Sequence, residues 1–216
     1  MKLYFTPGFC SLAPHIALRE LDLPFTLERV SNRTKLTASG ADYRAVSPLG
    51  YVPALELDDG TVLLETAAIL PYLGDQQPEA GLVPAPGTVA RYQLHAALNF
   101  IASELHKPFS ILLSPDTPEE MKTILRAKLG SRLAHLATKL GPDGFAAGPT
   151  YSVADPYLFV VLGWAGFGKI DLATWPDLVA YRTRLASRPA VKAALAAEAH
   201  RSPRRLYPPD SGGWVK

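Results

Sequence analysis

The chain has one cysteine, Cys10, in 216 residues. A lone thiol closes no internal disulfide, which points to a reducing cytoplasm. It also rules out a dithiol redox couple, so only a monothiol role is open to Cys10. Long apolar runs are missing: the longest break well short of the ~18–20 residues a membrane span needs. The N-terminus does not read as a signal peptide, because Thr6, Pro7, Gly8, Ser11, Pro14 and His15 interrupt any apolar segment. Neither sign of charge dominates, with 22 Lys and Arg against 20 Asp and Glu. That balance speaks against nucleic acid or an anionic membrane as the main partner. There is no internal repeat and no low-complexity tract. No His, Cys and Asp cluster has metal-ligand spacing, so no metal is expected.

What is present is apolar bulk. The 48% hydrophobic content supports one large domain or two small ones. The first third alternates between strand-like and helix-like segments. Residues 3–6 read as a strand and 11–21 as a helix, with Leu12, His15, Ile16 and Arg19 at helical spacing. Residues 25–30 read as a second strand, and 37–46, polar and containing glycine, as at most a short helix. Residues 54–57 and 62–65 bracket Asp58-Asp59-Gly60, a tight-turn signal between strands. Residues 66–73 then read as a helix. The order is β-α-β-α-β-β-α, a parallel crossover followed by an antiparallel hairpin.

A Pro- and Gly-rich stretch without period follows, and everything after it reads as helical. Leu94, Leu98, Ile101 and Leu105 form one stripe; Leu125, Leu129, Leu133, Leu136 and Leu140 form another. Residues 153–167 are apolar nearly all round, as in a helix buried among others. Residues 176–187 and 189–200 each open with a proline at a first-turn position. The division is 1–76, a linker at 77–87, a helical domain at 88–200 and an irregular tail at 201–216.

Three short stretches carry chemistry. Cys10 sits where a βα loop enters a helix, and the N–H groups and dipole there favour a thiolate with a lowered pKa. The other reading of a lone cysteine is a small buried hydrophobe. Tyr51-Val52-Pro53 places a proline at the start of a strand. A cis Val52-Pro53 bond would turn the Val52 N–H and C=O outward for an extended peptide ligand; an ordinary edge proline is the alternative. Glu65 ends a strand and Thr66 can cap the next helix, a start that suits a carboxylate, with an acidic neighbour for an ammonium. A plain helix cap is the alternative.

Taken together, "KLYFTPGFCSLAPHIALRE", "SPLGYVPALELDDG" and "LNFIASELHKPFS" resemble the glutathione S-transferases, in particular the bacterial beta class. The likeness covers roughly residues 1–200 and rests on the order and spacing of the motifs. It implies a thioredoxin-like N-terminal domain and an all-α C-terminal domain. It also implies glutathione as co-substrate with no other cofactor, a hydrophobic electrophile as second substrate, and a two-fold homodimer through the fourth and fifth helices. By the same resemblance Val52, beside Tyr51 and Pro53, would bond the cysteinyl backbone of glutathione. Glu65 and Thr66 would hold its γ-glutamyl end, and Lys35 its glycyl carboxylate. Cys10 would face the glutathione sulfur, either bonding its thiolate or forming a mixed disulfide.

On the fourth helix Asn99, Ser103 and His106, at i, i+4 and i+7, share one face. The resemblance places them around glutathione, with Glu104 beside them and Lys107 adding positive potential. His106 is the expected group to tune the thiol or carry a proton near neutral pH. His15, His95, His135 and His200 read as structural or surface residues, and Tyr4 as a strand residue that packs or bonds backbone. Ser152-Val153-Ala154-Asp155 has the form of a capping box. The resemblance gives Asp155 a structural role, and Pro156 behind it is expected to cost one helical hydrogen bond. Two features depart from the family. Phe9 is bulky enough to narrow access to Cys10, and the Arg-containing tail runs past the usual end. The expected activity is conjugation of glutathione to electrophiles, with thiol–disulfide exchange through Cys10 as a variant. A non-catalytic protein that binds glutathione or hydrophobic ligands is the rival.

Overall fold

The computed structural model describes residues 1–141 and 143–199. His200 and the 201–216 tail, for which the sequence suggests a surface role and a cover or a free end, lie outside the described residues. The N-terminal part runs β1 (Lys2–Phe5), α1 (Leu12–Glu20), β2 (Thr26–Arg29), β3 (Ala54–Glu56), β4 (Val62–Leu64) and α2 (Thr66–Asp75). The strands form one mixed sheet in the order β2-β1-β3-β4. β1 is parallel to β2, with Leu3 opposite Leu27, and antiparallel to β3, with Leu3 opposite Leu55. Strand side chains alternate between faces. Leu3 and Leu55 join the main core, while Tyr4 and Ala54 pack with Val30 and Tyr43 in a smaller cluster.

The upper limit set for the 37–46 segment holds. Between residues 37 and 46 the chain makes only a single 3₁₀ turn, Tyr43–Ala45. Short polar side chains there compete with a helix for backbone groups. Thr37 Oγ1 accepts the Ala41 N–H, Asp42 caps the turn through Arg44 N–H, and isolated bridges join Val30 to Thr37 and Leu36 to Asp42.

The helical part comprises α3 (Val89–Phe100), a π-helical segment (Ile101–His106), α4 (Lys107–Leu112), α5 (Glu119–Leu140), α6 (Ala154–Leu162), α7 (Pro176–Ala186) and α8 (Pro189–Ala199). Both leucine stripes predicted from spacing are buried. The fourth helix of the sequence reading is in fact α3, the π segment and α4 in succession. Pro108 explains the widened turn. It has no N–H for the carbonyl four residues back, and its ring crowds that carbonyl. The Lys107 N–H bonds instead to the Ala102 carbonyl.

Pro156 turns out to cost no helical bond. It lies in the first turn of α6, where N–H groups have no helical acceptor in any case. The capping box closes through Asp155, which accepts the Ser152 N–H at 2.7 Å, while Ser152 Oγ takes the Ala154 N–H at 3.3 Å.

The two parts share a continuous core. α1 packs on α2, α6 and α8. At the end of α2, Asp75 receives both Arg91 Nη atoms at 2.7 Å, tying α2 to α3. Glu20 on α1 accepts from Arg188 at 2.6 and 2.9 Å, with the Arg188 guanidinium 3.7 Å from the centre of the Tyr151 ring. Gly74 makes a close approach possible: a Cβ there would fall 2.1 Å from the Val83 side chain.

Candidate active site

The loop from Thr6 to Ser11 carries the thiol. Ser11 Oγ both accepts the Thr6 N–H and donates to the Thr6 carbonyl, at 3.1 Å each, closing the loop on itself. Gly8 supplies the positive φ of 76° that the turn needs. Both of its backbone groups are held by the helical part. Trp164 Nε1–H donates to its carbonyl at 3.0 Å, and its N–H donates to the buried Glu198 carboxylate at 2.9 Å. The other Glu198 oxygen faces His15 Nδ1 at 3.0 Å, and Arg19 donates to His15 Nε2. His15 is therefore structural, as the sequence suggests. Phe9, the expected obstacle to the thiol, is exposed.

Cys10 is buried. The expected lowering of its pKa is overturned. Burial pushes the thiol up to about 12, and the Glu65 charge adds to the rise. The Thr66 hydroxyl and the N–H groups of Cys10 and Ser11 do favour the thiolate, as a helix start should, but desolvation outweighs them. The thiol donates to the Val52 carbonyl at 3.1 Å. The outward-facing carbonyl of the sequence reading is thus engaged by Cys10.

The Val52-Pro53 peptide is cis. The loop before it is fixed from behind: the Tyr51 carbonyl accepts from Tyr43 Oη at 2.9 Å and Ser47 Oγ at 3.0 Å. The Tyr51 ring is exposed, with Lys35 Nζ 5.9 Å from its centre. Glu65, with φ of 69°, is the residue that precedes α2, and Thr66 is its first helical residue. Thr66 was expected as the cap. Here the Glu65 carbonyl accepts the Ala68 and Ile69 N–H groups instead. Among the described residues the N–H groups of Val52, Thr66 and Ala67 have no partner.

His106 lies against this group through a residue the sequence reading missed. Its Nδ1 is 2.6 Å from the Tyr157 hydroxyl, and its ring centre is 5.0 Å from that of Trp164. Burial, with help from Lys107, lowers its pKa to about 4. It is neutral at neutral pH, contrary to the expected titration there. Burial raises the Tyr157 phenol, the Cys10 and Glu65 charges push it further, and the Thr66 hydroxyl opposes them. Cys10, Glu65, Thr66, Tyr157 and His106 therefore form one electrostatic neighbourhood.

The remaining candidates stand apart. No hydrogen bond, ion pair or ring contact joins Lys35, Asn99, Ser103, Glu104 or Lys107 to Cys10. Lys35 Nζ donates to Asn32, and burial and Arg44 lower its pKa. Asn99 and Ser103 donate to carbonyls of their own helix, those of His95 and Asn99. Glu104 is paired with Arg132 at 2.7 Å and Lys128 at 3.6 Å on α5. The π turn explains part of this, because i, i+4 and i+7 no longer fall on one face where the helix widens. Tyr4 packs, as expected, against Tyr43, and its hydroxyl donates to Glu56 at 2.6 Å. Tyr157 and Trp164 had one signal in the sequence: each puts a polar tip in an apolar run, and such a tip finds a partner when buried. Nothing local marks Glu198, which reaches Gly8 across 190 residues.

Among the described residues no three His, Cys, Asp or Glu side chains come together to hold a metal ion. No helix among them is long and apolar enough to cross a membrane.

A mixed four-stranded sheet with a cis-proline rim, joined to a helical domain, defines a thioredoxin-like transferase architecture. The chain belongs to the glutathione S-transferase family. The profile of the family's N-terminal domain matches residues 9–76 and that of its C-terminal domain residues 100–189. The chain is 46% identical over 198 residues to glutathione S-transferase GstA of Escherichia coli O157:H7, covering 92% of this chain and 98% of that one. It is similar in structure to a ternary complex of BphK, a bacterial GST, with 51% identity, a TM-score of 0.90, and coverage of 92% and 100%. It is also similar to a bacterial beta class glutathione S-transferase of Sphingomonas chungbukensis, with 46% identity, a TM-score of 0.89, and coverage of 92% and 98%. A sphingomonad glutathione S-transferase solved with glutathione is 48% identical, with a TM-score of 0.89 and coverage of 92% and 99%.

Proposed function

We propose that the protein conjugates the thiolate of glutathione to hydrophobic electrophiles. The observation that carries this is the strip of unpartnered N–H groups at Val52, Thr66 and Ala67 beside Cys10. An extended peptide can pair with Val52, and a carboxylate can sit on the N–H groups that open α2. Glu65 is exposed at the same place and suits the ammonium of a γ-glutamyl group. Lys35 and Tyr51, on the neighbouring loop, suit the glycyl carboxylate. Tyr51, Val52 and Pro53 form the rim along which the tripeptide lies. On the helical side His106 serves the sulfur, while Asn99, Ser103 and Lys107, which stand apart from Cys10, serve the rest of the tripeptide; Glu104 is held by Arg132 and Lys128.

In the reaction the glutathione sulfur forms a bond to the electrophilic carbon. The leaving group departs with its electron pair, and the thiol proton passes to solvent. A thiol pushed up to about 12 stays protonated, and Cys10 steadies the bound sulfur by swinging its one hydrogen from the Val52 carbonyl to that sulfur. Disulfide exchange through Cys10 would first require relief of its burial. The working division is a glutathione-binding domain at 1–76, a linker at 77–87, a helical domain at 88–200 and a tail at 201–216. The protein acts as a cytoplasmic homodimer, without metal or cofactor beyond its co-substrate.

Titration calorimetry with glutathione, alongside turnover of 1-chloro-2,4-dinitrobenzene, tests the reading. Binding with turnover is expected. Binding without turnover on any electrophile would give the rival, a ligand-binding protein, and absence of binding would refute both. Cys10→Ala separates the two chemistries: conjugation is expected to survive in part and disulfide exchange to vanish.

A further inference from the structure

Tyr157 sits in α6 among Leu158, Phe159 and Val160, all buried. A hydroxyl in such surroundings must place its proton on an acceptor. The acceptor at hand is His106 Nδ1 at 2.6 Å, so the Tyr157 proton goes there. The imidazole is neutral at neutral pH, so its one hydrogen is on Nε2. Nε2 has no partner among the described residues. The ring cannot easily turn, held edge-on to Tyr157 at 86° and against Trp164.

We propose that Tyr157 is a positioning residue: by donating to Nδ1 it sets the tautomer and orientation of His106, so that His106 presents a fixed Nε2–H donor to the bound glutathione sulfur. The assignment rests on the transferase reading, and it changes the role of His106 from proton carrier to donor. No proton leaves the imidazole, and the hydrogen bond runs one way, from the Tyr157 phenol to His106 Nδ1.

The test combines nitrogen-15 NMR of the histidine ring with steady-state kinetics on glutathione and 1-chloro-2,4-dinitrobenzene. In the wild-type protein the long-range nitrogen–proton pattern of His106 should be that of the Nε2–H tautomer. Tyr157→Phe should mix the tautomers and lower kcat roughly ten- to a hundredfold, with KM for glutathione nearly unchanged. His106→Gln, whose amide nitrogen falls near the Nε2 position, should keep more activity than His106→Asn, whose amide falls near Nδ1. That pair tests the geometry without touching Tyr157, should its variant fold poorly. An Nδ1–H tautomer in the wild type would overturn the proposal. So would an unaltered spectrum and kcat in Tyr157→Phe, or an Asn variant as active as the Gln variant. A wild-type protein with no glutathione turnover would instead sink the transferase reading, and the ring spectrum would still decide which nitrogen Tyr157 engages.

Discussion

Two buried ionisable groups in this protein are treated in opposite ways. Asp155, at the head of α6, is surrounded by donors: the N–H groups of Ala146 and Ser152 at 2.8 and 2.7 Å, Ser152 Oγ at 3.1 Å and Tyr181 Oη at 2.8 Å. Cys10 is also buried, yet its thiol hydrogen has one acceptor, the Val52 carbonyl, and the donors near it do not offset its burial. Burial raises both pKa values. In the first case every lone pair is spoken for, and the group can only hold structure. In the second, donors and acceptors around the sulfur are left with capacity to spare, which is what a binding site requires. Satisfaction, more than burial, tells the structural group from the functional one.

The sharpest way to break this comparison is to measure thiol reactivity. A thiol with a pKa three units above 9.0 has about a thousandfold less thiolate at neutral pH. Iodoacetamide should therefore alkylate Cys10 about a thousandfold more slowly in the native protein than in urea. Equal rates would show that burial does not restrain the sulfur.

Asp155→Ala comes next. It strands two buried N–H groups and the Tyr181 hydroxyl, which should cost at least about 3 kcal/mol. The urea midpoint reads it, at unchanged slope, and a loss under about 1 kcal/mol would remove the contrast.

His106 gives a smaller effect with a definite sign. Its folded value, about 4, lies below the ordinary 6.5, so the folded state favours the neutral ring. The stability it contributes is complete above pH 6.5, and it falls as pH drops toward 4, by about 2 kcal/mol after allowance for partial exposure. Urea midpoints at pH 7 and 4.5 should converge in His106→Gln relative to wild type. The smallest effect is expected from Tyr4→Phe, which removes one hydroxyl bond to Glu56, costs about 1 kcal/mol or less and leaves conjugation untouched.

How much of this could be read in advance followed the range of the interactions. The strand and helix periods, the hairpin at Asp58-Asp59-Gly60 and both leucine stripes are local patterns, and all were visible in the sequence. The 37–46 segment was legible only as an upper limit, because Thr37 and Asp42 turn their side chains onto backbone and Ser39 bonds Glu28, which composition does not reveal. Pro108 stood in plain sight, but its effect on the spacing of Asn99, Ser103 and His106 needs the widened turn upstream. In the site itself, Cys10, Val52, Glu65 and Thr66 were marked by their places at element ends. The sign of the Cys10 shift was misjudged because a helix start is a local feature, whereas desolvation comes from the whole fold. Tyr157, Trp164 and Glu198 act across the chain, and their partners are 51, 156 and 190 residues away.

The grip of Trp164 and Glu198 on Gly8 has a consequence for folding order. The sulfur-bearing turn belongs by sequence to the sheet, but its shape is set by residues translated after the whole sheet. A nascent chain stopped after α2 would contain Cys10, Val52, Glu65 and Thr66, yet would still lack the two anchors that hold its first loop. The loop should thus take its final shape late and all at once, with the closing of α8.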